Sequence, residues 1–202
     1  MSDMLLILLP GTMYFWTLFV GQGPFQEMLQ ERESRVLPRI LACPVTPAQY
    51  ILAKMLRCFL LCLLATVFLI VSSALLFRIH WGNPLALAFS TLACAGSMTG
   101  LLGLIYAAAR TREQATVLSP VLLMLLAMVG GSMFPYENMP GFLQMVGRFT
   151  PNRWAVLVLQ GVARSQPPAN LVAPMTALLA LAMLGSLVAF LVFRRRLRTG
   201  AQ

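Results

Sequence analysis

The chain has 202 residues, of which 59% are hydrophobic and only 10% charged, with a mean hydropathy of +0.80 and a net charge of +9. Those proportions exclude a water-soluble domain, in which about a quarter of the residues carry charge. The few charges gather in short clusters between apolar runs long enough to cross a bilayer, and the basic residues form no aromatic-interleaved patch, so nucleic acid is excluded as a partner and the charge reads as topogenic.

The start, MSDMLLILLPGTMYFW, has no basic region before its apolar run and no small-residue cleavage site, so it reads as a retained span and not a signal peptide. This first span covers about 4–20, with a kink at Pro10 and with Tyr14 and Trp16 as interfacial or packing aromatics. A charged segment at 25–47 follows. In it Glu27, Glu31, Arg35 and Arg39 recur at spacings of four, which predicts one charged helical face, while Val36, Leu37, Ile40 and Leu41 form an apolar patch. Pro38, Pro44 and Pro47 break the run into a short helix and a turn. The product is an amphipathic elbow at the membrane surface, either an interfacial anchor or a docking site.

The second span covers 50–77, its first turns holding Lys54 and Arg57, which can snorkel to the interface. A short turn with Arg78 and the lone His80 leads into the third span, 85–109, where Gly96, Gly100 and Gly103 give a small-residue face for close helix approach, inside the subunit or at a dimer seam. The connection Arg110 to Gln114, with Arg112 and Glu113, is either a charged turn that needs no partner or a second contact for a cytosolic one. The fourth span covers 116–134 and ends near Gly130 and Gly131. In the 135–166 connection, Phe142, Met145, Val146 and Phe149, then Trp154, Leu157, Val158 and Gly161, each lie at i, i+3, i+4 and i+7, which predicts two short amphipathic helices joined at Pro151. They are re-entrant or lie flat on the membrane. The fifth span covers 171–193, and an arginine-rich tail follows.

These runs are continuously apolar for about twenty residues, as helices that span about 30 Å of hydrocarbon require, and lack the ten-residue alternation of a barrel. The expected fold is all-α, a polytopic bundle of about five spans in one domain. Eleven lysines and arginines fall on the side of the elbow, the Arg110–Arg112 connection and the tail, and four on the other. The positive-inside rule then puts the N-terminus outside and the C-terminus in the cytoplasm. Cys43, Cys58, Cys62 and Cys94 form no CxxC pair and have no histidine at ligand spacing, so no metal site is expected. No span has an aspartate, glutamate or histidine at its centre, which argues against an intramembrane hydrolase and an ion-coupled transporter, and no GxxxxGK[ST] loop is present for ATP. The chain is not expected to be an enzyme.

Two elements resemble the ABC-2 type transporter permeases. The first is Glu31-Arg32-Glu33 with Leu41, Pro44-Val45 and Lys54, similar to the family's first cytoplasmic loop; the second is Phe134-Pro135, Met139-Pro140 and Thr150-Pro151 followed by Trp154, similar to its external stretch. The resemblance implies a permease subunit of an exporter in the bacterial inner membrane, in a homo- or heterodimer with a second permease, contacting lipid. It also implies a cytosolic ABC ATPase that binds ATP and Mg, none being bound by this chain. Glu27, Glu31, Arg32, Glu33, Arg35, Leu37, Pro44, Arg112 and Glu113 would couple to that ATPase, and Phe134, Pro135, Pro140, Pro151 and Trp154 would form an external gate or exit. Family subunits usually have six spans, with an external domain after the first, so the resemblance implies that this chain starts at the second. A membrane scaffold or assembly factor is the rival reading.

Overall fold

A computed structural model describes the backbone of residues 2–109, 111–134 and 136–199, and their side chains except at 2–7, 41, 137, 168–169 and 198–199. The described residues hold only helices and their connections. Helix α1 (Ser2–Gly21) passes through Pro10; α2 (Gly23–Glu33) and α3 (Val36–Ala42) form the elbow; α4 (Pro47–Phe77), α5 (Pro84–Ala108) and α6 (Arg112–Val129) are long. A single 3-10 turn (Tyr136–Asn138), α7 (Gly141–Gly147) and α8 (Pro151–Ala163) precede α9 (Pro168–Thr199). Among the described residues four helices, α4, α5, α6 and α9, are long and apolar enough to cross a membrane. Helix α1 adds a fifth apolar helix of 20 residues.

The helix starts follow from local chemistry. Thr46-Pro47, Asn83-Pro84 and Thr150-Pro151 each place an extended polar residue before a proline, whose fixed φ suits the first helical position and whose missing N–H would have had no partner there. Thr46 and Gln49 form a reciprocal capping box, and Asn83 Oδ1 accepts from the Leu85 amide at 2.9 Å. Helix α4 therefore starts three residues before the expected boundary. The fourth span, expected to reach 134, stops at Val129. Gly131 adopts φ +78°, and the Ser132 amide donates back to the Ala127 carbonyl at 3.0 Å, a closure that satisfies the last helical carbonyls.

Helix α5 is the centre of the bundle, with 61% of its most apolar stretch buried against 22% for α4, α6 and α9. It packs most extensively on α9 because glycines remove side chains from the contact. A Cβ on Gly100 would stand 2.6 Å from the Leu181 carbonyl oxygen, and one on Gly103 would stand 2.9 Å from Ala189 Cβ. Gly96 faces Ala182, and Gly185 of α9 faces the Gly100 backbone. Close backbone approach of this kind adds van der Waals contact where lipid leaves no hydrophobic difference to exploit. Tyr14 of α1 and Ser97 of α5 share a buried hydrogen bond of 3.1 Å.

Candidate coupling site

Helix α2 follows α1 with only Gln22 between them. Pro24, Phe25, Met28 and Leu29 turn inward on one face. Phe25 stacks between Tyr106 of α5 and Phe193 of α9, with ring centroids 5.7 and 6.0 Å away and nearly parallel planes. Gln22 is buried at the start of this helix. Its Oε1 accepts from Tyr106 Oη at 3.1 Å and from Ser119 Oγ of α6 at 3.0 Å, so one side chain ties the elbow to two long helices.

The flank of α2 carries Glu27 and Glu31, four residues apart, and both meet α4. Lys54 Nζ lies 2.8 Å from Glu31 Oε1 and 3.2 Å from Glu27 Oε2, Arg57 Nη1 lies 2.5 Å from Glu27 Oε2, and Tyr50 Oη donates to Glu31 Oε2. Burial raises the Glu31 carboxyl, but hydrogen bonds from Lys54 and Tyr50 and the charges of Lys54 and Arg57 outweigh it and hold the group below its ordinary value. Glu33 ends the same helix and accepts from the Arg112 amide at 2.8 Å, so it caps α6, where Thr111 Oγ1 also accepts from the Gln114 amide.

The predicted charged face does not run on through Arg35 and Arg39. The helix breaks at Ser34 and Arg35, where Arg35 takes a left-handed φ of 56°, and Pro38 falls inside α3 and not at the break. The turn redirects the chain so that Leu37 is buried and Ile40 packs on the core, while Arg32, Arg35, Arg39 and Pro44 are exposed, as are Arg112 and Glu113. The side chain of Leu41, and Arg110, lie outside the described residues. Arg196 near the end of α9 donates to the Ala109 carbonyl at 2.5 Å, which places that part of the basic tail at the same end of the bundle.

The opposite end holds the second set of predicted residues. A Cβ on Gly11 would stand 2.7 Å from Ser132 Cα, so the α6–α7 turn sits against the middle of α1. Helix α8 starts beside Gly130, whose Cβ would approach Asn152 Cβ to 2.5 Å, and ends beside Gly82, whose Cβ would approach the Val162 carbonyl to 2.6 Å. It runs along the bundle, burying Ala155, Val156, Val158, Leu159 and Val162. Trp154 is half-buried and donates to the Arg148 carbonyl at 2.9 Å; Pro151 is half-buried, Phe134 and Pro140 are exposed, and Pro135 lies outside the described residues. The apolar face of α7 and the turn after it, Phe142, Met145, Val146 and Phe149, is exposed.

Residues 2–192, which include both the elbow and the helical insertion at the other end, match the family described as ABC-2 family transporter protein. The chain belongs to the ABC-2 transporter family. This ABC-2 member is therefore an integral membrane protein of the permease type. It is similar to the linearmycin resistance permease protein LnrN of Bacillus subtilis (strain 168), 27% identical over 146 residues, which are 72% of this chain and 38% of the relative. The matched part thus spans well under half of that relative. No solved structure matches the chain.

Sequence reasoning missed several members of the ABC-2 chain's elbow. Gln22, Phe25, Tyr50 and Tyr106 went unassigned, and Lys54 and Arg57 were read as snorkelling side chains. A signal existed: Tyr50, Lys54 and Arg57 lie at i, i+4 and i+7, one helical face that complements Glu27 and Glu31.

Proposed function

We propose that this chain is the membrane-spanning subunit of an ATP-driven exporter, in which a separate cytosolic ATPase binds ATP with Mg and this chain moves the substrate. The observation that carries the reading is the bonding of α2 to α4, α5, α6 and α9. Stacked aromatics, ion pairs, the Gln22 hydrogen bonds and the Glu33 cap make it a lever with little freedom to slip. Closure of the ATPase can move spans only through an element fixed to both. Glu27, Glu31, Glu33 and Leu37 hold the lever to the spans, and Arg32, Arg35, Pro44, Arg112 and Glu113 meet the ATPase.

The charge asymmetry supports a cytoplasmic elbow and C-terminus, with α7 and α8 at the outer side of the inner membrane. The position of the α6–α7 turn against the middle of α1 favours α8 re-entering the outer leaflet, where protein surrounds its backbone, over α8 lying flat. The exposed apolar faces of α6 and α7 fit a second permease subunit or lipid.

The test is co-purification with a co-expressed cytosolic ABC ATPase and measurement of ATP hydrolysis by the complex. Arg32→Glu with Arg35→Glu is expected to preserve expression and membrane insertion while sharply reducing hydrolysis coupled to the permease. Stable assembly with ATP hydrolysis indifferent to these substitutions would instead make the chain a scaffold.

A further inference from the structure

Between the α5 start, the α8 end and the α9 start lies a cavity of about 530 Å³, away from the elbow and from the exposed face of α7. That size falls within the range of small-molecule pockets, about 300–1,000 Å³. Its chemistry is graded along the bundle, apart from Ser90 on the α5 shaft, whose hydroxyl donates to the Ala86 carbonyl at 2.6 Å. Asn83, Ser165 and Gln166 come from the two turns at the end opposite the elbow, whereas Phe89, Leu171 and Met175 come from the helix shafts below them. From Asn83 to Phe89 the apolar part descends roughly 9 Å at 1.5 Å per helical residue.

Two features decide what such a space takes. First, the turns meet above it: a Cβ on Gly82, at φ +54°, would stand 2.6 Å from the Val162 carbonyl and 2.9 Å from Ser165 Oγ. They close its end, while the lining residues Phe89 and Val172 remain 63% and 57% exposed, so it opens sideways, toward lipid. Second, none of the lining side chains is charged, and the polar ones are amides and hydroxyls. Asn83 Oδ1 is occupied by the Leu85 amide, but its amide N–H groups, the Ser165 hydroxyl and the Gln166 amide bond to no other side chain among the described residues.

We propose that this cavity is a lateral binding site for an uncharged amphiphile with one apolar chain, its hydroxyl or amide head held by Asn83, Ser165 and Gln166 and its chain lying against Phe89, Leu171 and Met175. Because the chain arrives from lipid, its retention rests on van der Waals contact with Phe89, Leu171 and Met175 and on the polar head's hydrogen bonds, and an anionic head would find no cation in the lining.

The probe is a monoacylglycerol with a photoactivatable group in its acyl chain, added to the full chain in phosphatidylethanolamine and phosphatidylglycerol nanodiscs with its ATPase. Label is expected at 86–90 and 171–175, competed by unlabelled monoacylglycerol, and much weaker with the fatty acid of the same length. Val172→Trp fills the space from its lipid side without touching the core, and Met175→Trp fills it from within. Each is expected to reduce labelling about tenfold, equivalent to about 1.4 kcal/mol of lost affinity. Label that persists through ATP turnover identifies a resident lipid, and label that ATP releases identifies cargo; both uphold the site. Equal labelling of the two tryptophan variants and the native chain, or label spread equally over exposed Leu75 and Leu76 of α4, overturns it, as does a crosslink showing another protein chain seated between Phe89 and Val172.

Discussion

Lys54 Nζ stands 2.8 Å from Glu31 Oε1, a pair formed by residues 23 apart in the sequence, and the contact fixes how α2 lies along α4. Lys54 is only 13% exposed and serves Glu27 as well, whereas the Arg57 side chain of the neighbouring pair is 55% exposed. Lys54→Met is therefore expected to cost about 1.5–3 kcal/mol in thermal unfolding of the purified protein, the range for hydrogen bonds to charged groups. Arg57→Ala should cost no more than about 1 kcal/mol. Equal losses in the two variants would mean that the buried lysine is not the anchor.

The direction of the Glu31 shift sets a pH dependence. Its folded pKa lies below the unfolded value, so its contribution is complete above the unfolded pKa, about 4.3 for a glutamate, and is lost as pH falls through the folded value. The stability difference between the native protein and Glu31→Gln should be flat from about pH 6 to 8 and shrink only below about pH 4. A difference that changes most near neutrality would contradict the assignment.

Glycines separate by what surrounds them. Gly100→Ala puts a Cβ 2.6 Å from backbone of α9 and is expected to destabilise by about 1–3 kcal/mol. Gly23→Ala and Gly141→Ala meet nothing within 4 Å, and should be neutral or stabilise by up to about 1 kcal/mol. Melting temperatures of the three variants check this.

Gln22→Leu removes the acceptor shared by Tyr106 and Ser119. Those two hydroxyls still bond each other at 3.1 Å, so the loss is expected at the low end of the range for a buried hydrogen bond, about 1 kcal/mol. ATP hydrolysis should fall by more than stability does, because Gln22 joins the elbow to α5 and α6. Unchanged hydrolysis would restrict Gln22 to packing.

The long helices were legible because twenty consecutive apolar residues admit one solution in a bilayer, and the two short helices around Pro151 because their apolar period is 3.6. Helix ends were legible only in part. The capping box at Thr46 is local and readable, but the left-handed turn at Arg35 carries no glycine to announce it, and it cut the predicted charged face in two. The partners of Glu27, Glu31 and Gln22 were not legible at all, because they depend on how each helix is rotated toward the next. The small residues of α5 showed in the sequence, but not that Ala182, Gly185 and Ala189 of α9 fill that face.

Cys43 tests the central claim most directly. It is the one exposed cysteine among the described residues and lies between α3 and α4, beside the surface assigned to the ATPase, while Cys58, Cys62 and Cys94 are buried. In a variant with those three replaced by alanine, an impermeant thiol reagent should modify Cys43 in inverted membrane vesicles and not in intact cells. Binding of the ATPase subunit should protect it. Modification from outside intact cells, or full reactivity with the ATPase bound, would contradict the assignment of this elbow as the element that carries force into the spans.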